Sequence, residues 1–210
     1  MNKKSRKIKQ NSKRKNFLKG RTAIFIDAAN LEKSVADFGT KPPRIKRIKK
    51  GFVWKAFPKG YFKIDYKKLY KFFKEKTKLS SISFYSARFG MKSHDDFLAF
   101  LKRNRYRLVT KPIKEINSFD GSHQRKANFD VEISVDAVDW IKNYDVFILI
   151  SGDSDFAYLL EYLKKKGKKV MVISERGHIS KELIKSSDVY RELHEFKGIF
   201  IVPKKQKSRR

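Results

Sequence analysis

No cysteine occurs in the 210 residues, which rules out a disulfide framework and any zinc–thiolate site. No apolar run approaches the roughly 18 residues that a membrane span needs, and the basic N-terminus is not followed by the apolar core of a signal peptide. A soluble, cytoplasmic protein with no membrane partner is the expectation. Histidine is scarce as well. His94, His123, His178 and His194 accompany no nucleophile motif, which argues against a Ser–His hydrolase. Gly152 stands alone in its turn, so there is no glycine-rich phosphate loop to support nucleotide-driven work.

Acidic residues are the other shortage, 22 against 52 Lys plus Arg, for a net charge of +30. The excess is uneven: nine positive charges fall in residues 1–20, nine in 40–63 and five in 204–210, with no acid in any of the three. The rest of the chain carries only +7. Segments of this kind bind polyanions by neutralising phosphates and releasing counterions. A generic solubility role would be better served by acids. With 40% hydrophobic residues the chain can build one sizeable core, and one domain is the default. The expected organisation is a disordered basic tail at 1–20, a domain over 21–202 and a basic tail at 203–210. The insertion at 40–63 interleaves Phe52, Trp54, Phe57, Tyr61 and Phe62 with lysines such as Lys49 and Lys50. That mixture suits a surface for stacking unpaired bases beside phosphates, or equally a β-hairpin that folds its aromatics onto the core.

Apolar, β-favouring stretches predict strands at Thr22–Ile26, Ile82–Ala87, Tyr106–Thr110, Val146–Ile150 and Val170–Ile173, with one more at Ile199–Val202. Helices are predicted from Leu31 to Phe38, after an Asp65 cap to Lys78, from a Ser93/Asp96 capping box onward, from Asp130 to about Asn143, after Asp155, and from Ser180 to Ser186. Pro112 stops the third strand from continuing as a central one. Residues 114–128 read as a loop or loose hairpin. Strands alternating with helices give an α/β fold with a parallel sheet and right-handed crossovers.

Two strands end in acidic turns. Val146–Ile150 runs into Ser151-Gly152-Asp153-Ser154-Asp155, and Thr22–Ile26 runs into Asp27-Ala28-Ala29-Asn30. A helix cap needs one such residue; the surplus points to a cation site at the carboxyl edge of the sheet, where ligands bind. Asp130 opens a third acidic element, followed at helical spacing by Val131, Val135, Val138 and Ile141. Carboxylates converging from three elements repel one another unless a cation sits among them, and hard oxygen donors suit Mg²⁺ or Mn²⁺. Asp27 and Asp153 are the first candidates for direct ligands, with Asp130 and Asp155 binding directly or through water. Ser151 and Asp136 are candidates for support behind them, although six residues beyond Asp130 places Asp136 about 240° around the helix. Asp139 and His178 read as surface residues. Arg125 and Lys126, with His123, flank the site in sequence and are candidates for substrate contact.

Ile26-Asp27-Ala28-Ala29-Asn30-Leu31, Asn128-Phe129-Asp130-Val131 with Val135-Asp136, and Ser151-Gly152-Asp153-Ser154-Asp155-Phe156 resemble the NYN family, in its LabA-like branch of the PIN-like nucleases. The resemblance spans roughly Arg21 to Phe200. It implies a PIN-like three-layer sandwich: a central parallel sheet in the order 3-2-1-4-5 with helices on both faces. It also implies a metal-dependent ribonuclease centre built from Asp27, Asn30, Asp130, Asp153 and Asp155. One departure is visible, since Lys126-Ala127-Asn128 stands where this branch often carries a Lys-Gly pair. The expected activity is Mg²⁺- or Mn²⁺-dependent endonucleolytic hydrolysis of RNA, leaving 5′-phosphate and 3′-hydroxyl ends. The alternative is a non-catalytic RNA-binding protein on the same fold.

Overall fold

Val146–Ile150 is buried along its whole length, and Arg21–Asp27 everywhere but its first residue. These two strands, β7 and β1, form the centre of a six-stranded sheet. The computed structural model describes residues 18–36, 63–117 and 123–201. In chain order the elements are β1, α1 (Ala28–Ala36), β2 (Lys63–Ile64), α2 (Tyr66–Lys76), β3 (Lys78–Arg88) and α3 (Lys92–Arg103). Then come β4 (Arg107–Pro112), β5 (Lys114–Asn117), β6 (His123–Lys126), α4 (Asp130–Asp139) and β7. The chain finishes with α5 (Ala157–Lys165), β8 (Lys169–Ser174), α6 (Lys181–Ser186), β9 (Val189–Glu192) and β10 (Phe200–Ile201).

The main sheet runs β4-β3-β1-β7-β8-β9 with every neighbouring pair parallel. The five strands expected from the sequence keep the order 3-2-1-4-5. Side chains alternate between two cores, as the two-residue period of a strand requires. Ile24, Ile26, Val146, Ile148, Ile150, Met171 and Ile173 pack beneath α1, α2 and α3. Ala23, Phe25, Phe147, Leu149, Val170 and Val172 pack beneath α4, α5 and α6. The result is helix, sheet, helix.

Several expectations shift. The sixth strand is Val189–Glu192, a half-buried edge strand with no apolar alternation to mark it. Phe200–Ile201 instead pairs antiparallel with Lys63–Ile64 in a separate small sheet. Asp65 caps α2, its carboxylate accepting from the Lys68 backbone N–H at 3.1 Å. The Ser93/Asp96 capping box does not form. β3 runs to Arg88, Gly90 turns the chain at φ 68°, and α3 begins after Met91 without a side-chain cap. Pro112 ends β4, which lies at the sheet margin where a missing N–H is tolerated. Lys114–Asn117 and His123–Lys126 pair antiparallel, with Lys114 opposite Lys126. The expected helix from Asp130 stops at Asp139, and Ile141–Asn143 is a separate 3₁₀ turn. On α4 the inward residues are Ile133 and Ala137. Val131 and Val135 are 72% and 60% exposed, so the valine spacing marks the outer face.

Residues 1–17 of the tail expected at 1–20, the tail expected at 203–210 and the insertion at 40–63 up to residue 62 fall outside the described residues, and with them Trp54, Lys49 and Lys50.

Candidate metal centre at the carboxyl edge

From β1 the chain passes to β3 and β4 on one side and returns to β7 on the other. A crevice therefore opens between the carboxyl ends of β1 and β7, the switch point at which open α/β sheets bind ligands. Asp27 closes β1 at this crevice and is almost fully buried. Its Oδ1 accepts from the Asn30 backbone N–H at 3.2 Å, and its Oδ2 accepts from Asn30 Nδ2 and Ser151 Oγ, each at 3.1 Å. Asn30 faces both turns, because its Oδ1 also accepts from the Gly152 N–H at 3.3 Å. One amide thus ties the end of β1 to the end of β7.

Gly152 fits where no other residue would. A Cβ at this position would lie 1.6 Å from the His178 carbonyl oxygen, and the Ser180 N–H donates to the Gly152 carbonyl at 3.0 Å. The loop after β8 is thus laid directly on the acidic turn. Ser154–Phe156 is a 3₁₀ turn capped by Asp153, whose Oδ1 accepts from the Asp155 N–H at 3.1 Å. Capping and clustering coexist in this carboxylate.

Asp130 arrives from the opposite side of the crevice as the first residue of α4. Asn128 Oδ1 accepts its backbone N–H at 3.1 Å, and two ion pairs hold the helix to β4. Lys111 Nζ meets Glu132 at 2.6 Å and Arg107 meets Asp136 at 2.6 Å. Arg107 also lies over the Trp140 ring at 4.1 Å, and Lys111 over Phe129 at 4.6 Å. Oxygens of Asp130, Asp153 and Asp155 come within 4.8 Å of one another. Burial raises the Asp130 carboxyl above its ordinary value, and the charges of Asp153, Asp155 and Asp27 push it further the same way. Asp27 is raised too, first by burial, against the lowering effect of the hydrogen bonds from Asn30 and Ser151. A set of hard oxygen donors that repel one another fits a divalent cation such as Mg²⁺ or Mn²⁺. Asp27 lies beside this trio; its Oδ2 accepts from Asn30 and Ser151, while its Oδ1 accepts one hydrogen bond and keeps a lone pair.

Ser151 supports the site by its bond to Asp27. Asp136 acts at a distance from the trio: it accepts from Tyr85 Oη at 2.8 Å and from Arg107, contacts that hold α4 against the sheet. The backbones of Arg125 and Lys126 lie in β6, the strand that leads into Asn128 and Asp130. Sequence reasoning passed over the cations of β4, which pin α4. Their signal was present, since Arg107 and Lys111 are four apart on a strand and so lie on one face.

Farther along the same edge, His194 bridges two carboxylates, with Nδ1 2.9 Å from Glu175 and Nε2 3.2 Å from Glu192. The hydrogen bond to Glu175 raises its pKa above the ordinary value. Arg176 adds a positive charge on Glu192 at 2.7 Å.

Among the described residues no helix is long and apolar enough to cross a membrane. The chain is 26% identical over 187 residues to "Low amplitude and bright protein LabA" of Synechococcus elongatus, covering 87% of this chain and 88% of that protein. Its fold is similar to the crystal structure of a protein of unknown function from Vibrio parahaemolyticus. The TM-score is 0.65 at 23% identity, over 88% of this chain and 98% of that one. The NYN domain model matches residues 21–194. The chain belongs to the NYN domain family, a family of PIN-like nucleases, and is a distant homologue of LabA.

Proposed function

We propose that this protein is a divalent-metal-dependent ribonuclease that hydrolyses RNA endonucleolytically. The observation that carries the reading is the meeting of Asp130, Asp153 and Asp155 beside Asp27 at the switch-point crevice, in a chain of net charge +30. Asp130, Asp153 and Asp155 would hold Mg²⁺ or Mn²⁺. When bound, such an ion supplies Lewis-acid polarisation of a phosphate and a lowered pKa for water. Asp27 adds negative charge at the floor of the crevice and is kept in place by Asn30 and Ser151. Asn30 fixes the distance between the two turns, and the ion pairs of Lys111 and Arg107 fix α4, and with it Asp130. Basic residues outside the crevice supply the attraction for the RNA backbone.

The test uses the full chain and a labelled RNA pool. Wild type with Mn²⁺ cleaves, and a chelator stops it. Asp153→Asn lowers the cleavage rate by about 10² or more, the scale of losing an electrostatic catalytic group, while binding is kept or slightly tightened. Tight binding with no cleavage by the Mn²⁺-loaded wild type would overturn the reading and leave a non-catalytic RNA-binding protein.

A further inference from the structure

We infer that Phe89, at the turn between β3 and α3, is a stacking platform for an unpaired base of the strand whose phosphate enters the acidic crevice. The inference rests on the ribonuclease reading and adds a subsite to it. Phe89 is 43% exposed and Met91 near it is 55% exposed, although every residue from Ile82 to Ser86 on the preceding strand is buried. An isolated exposed apolar residue needs no explanation. This one is held in a defined pose. The His94 ring packs edge-on against it at 4.7 Å between centroids, and His94 Nε2 donates to the Ala87 carbonyl at 2.8 Å. The ring is thus braced from the α3 side, and little ordering remains for a ligand to bring about.

Beside the ring lies an open cleft of about 450 Å³, lined by Arg88, Phe89, Gly90, Pro112 and Ile113. It is framed by the ends of β3 and β4, and the Ile113 N–H donates to the Arg88 carbonyl across it at 3.4 Å. Arg88 is oriented by Asp95 at 3.1 Å, yet its side chain remains more than half exposed. An aromatic face with an exposed guanidinium at its side matches a nucleotide, the base against the ring and the phosphate against the cation. Both lie on the same rim of the sheet as the acidic crevice. Tyr85 stands in register with Asp27 on the neighbouring strand. Arg88, three residues beyond Tyr85, is therefore about 10 Å farther along the sheet at roughly 3.3 Å per residue. That separation suits a nucleotide flanking the one under attack. A lipid surface is disfavoured because the exposed large apolar residues here are one ring and one Met, Phe89 and Met91, beside the Arg88 guanidinium. Double-stranded RNA is disfavoured because its bases are stacked on one another and offer no face to Phe89.

The test measures binding of the full chain, in its Asp153→Asn form to prevent cleavage. The probes are a fluorescein-labelled oligouridylate of about 12 nucleotides and an abasic strand of the same length. Phe89→Ala should weaken oligouridylate binding roughly ten-fold or more, the scale of one lost base–aromatic stack. The salt dependence should keep its slope, since no charge is removed. Phe89→Trp should restore or tighten binding. The abasic strand should bind Phe89→Ala and the parent form alike. Equal losses on both strands, or no loss on either, would overturn the inference while leaving the ribonuclease reading in place. A parent form that binds neither strand, with a wild type that cleaves neither RNA nor this probe, would overturn both. Melting temperatures of the variants within a few degrees of the parent separate these results from misfolding.

Discussion

Asn30 and His194 show two ways in which single side chains hold this carboxyl edge together. Asn30 is neutral and directional: its NH₂ end faces Asp27 and its carbonyl end faces Gly152. Neither end can be swapped without losing a bond, and an Asp in its place would set one carboxylate against another. His194 works by charge instead. Glu175, and behind it Glu192 and Glu195, raise its pKa in the folded protein, whereas an unfolded histidine titrates near pH 6.5. A folded pKa above the unfolded one gives stability that is fully present below pH ~6.5 and lost as pH rises through the folded value. The melting temperature of wild type should therefore fall as pH rises above about 6.5, by a few degrees at most because the ring is partly exposed. His194→Gln should flatten that slope in the same buffers. An unchanged slope in the variant would locate the titration elsewhere.

At the scale of elements, α4 is the informative case. Its valines recur at helical spacing, and spacing alone identifies a stripe without saying whether it faces inward. Ile133 and Ala137 face the sheet and are fully buried, and the pairs of Arg107 with Asp136 and Lys111 with Glu132 are consistent with that rotation of the helix. Ile133→Ala should cost about 2–4 kcal/mol by urea denaturation, and Val135→Ser less than about 0.5 kcal/mol. The reverse ranking would mean that α4 is rotated. The strands were more legible. Thr22–Ile26 and Val146–Ile150 are continuous apolar runs because both faces of the sheet are covered, and such runs can be recognised without knowing their neighbours. Val189–Glu192 was not legible, since an edge strand half open to water carries no such run. Within the site, the acidic turns announced Asp153, Asp155 and Asp27. The division between three clustered carboxylates and one hydrogen-bonded neighbour depends on distances that no spacing encodes.

For the whole molecule, charge and chemistry are segregated. Asp130, Asp153 and Asp155 meet in one crevice, whereas nine of the positive charges lie in residues 1–20. Deleting residues 1–20 should weaken RNA binding and make the salt dependence shallower by up to about 6 in the log–log slope, at roughly 0.7 per charge on a single strand. Turnover at saturating RNA should hardly change. A large fall in turnover at unchanged affinity would instead put the tail inside the active site. The direction of the sheet has a further consequence. Because all six strands of the main sheet are parallel, every one ends on the same rim, and every one begins on the opposite rim. The starting rim, with Gly20 before β1 and Gly167 before β8, carries none of the acidic turns. The protein is therefore two-sided, with the acidic turns on one rim of the main sheet and none of them on the other. A linker attached at Gly167 could anchor it to a bead or a partner domain with the acidic rim facing outward, and a strand of RNA could be drawn past the fixed crevice.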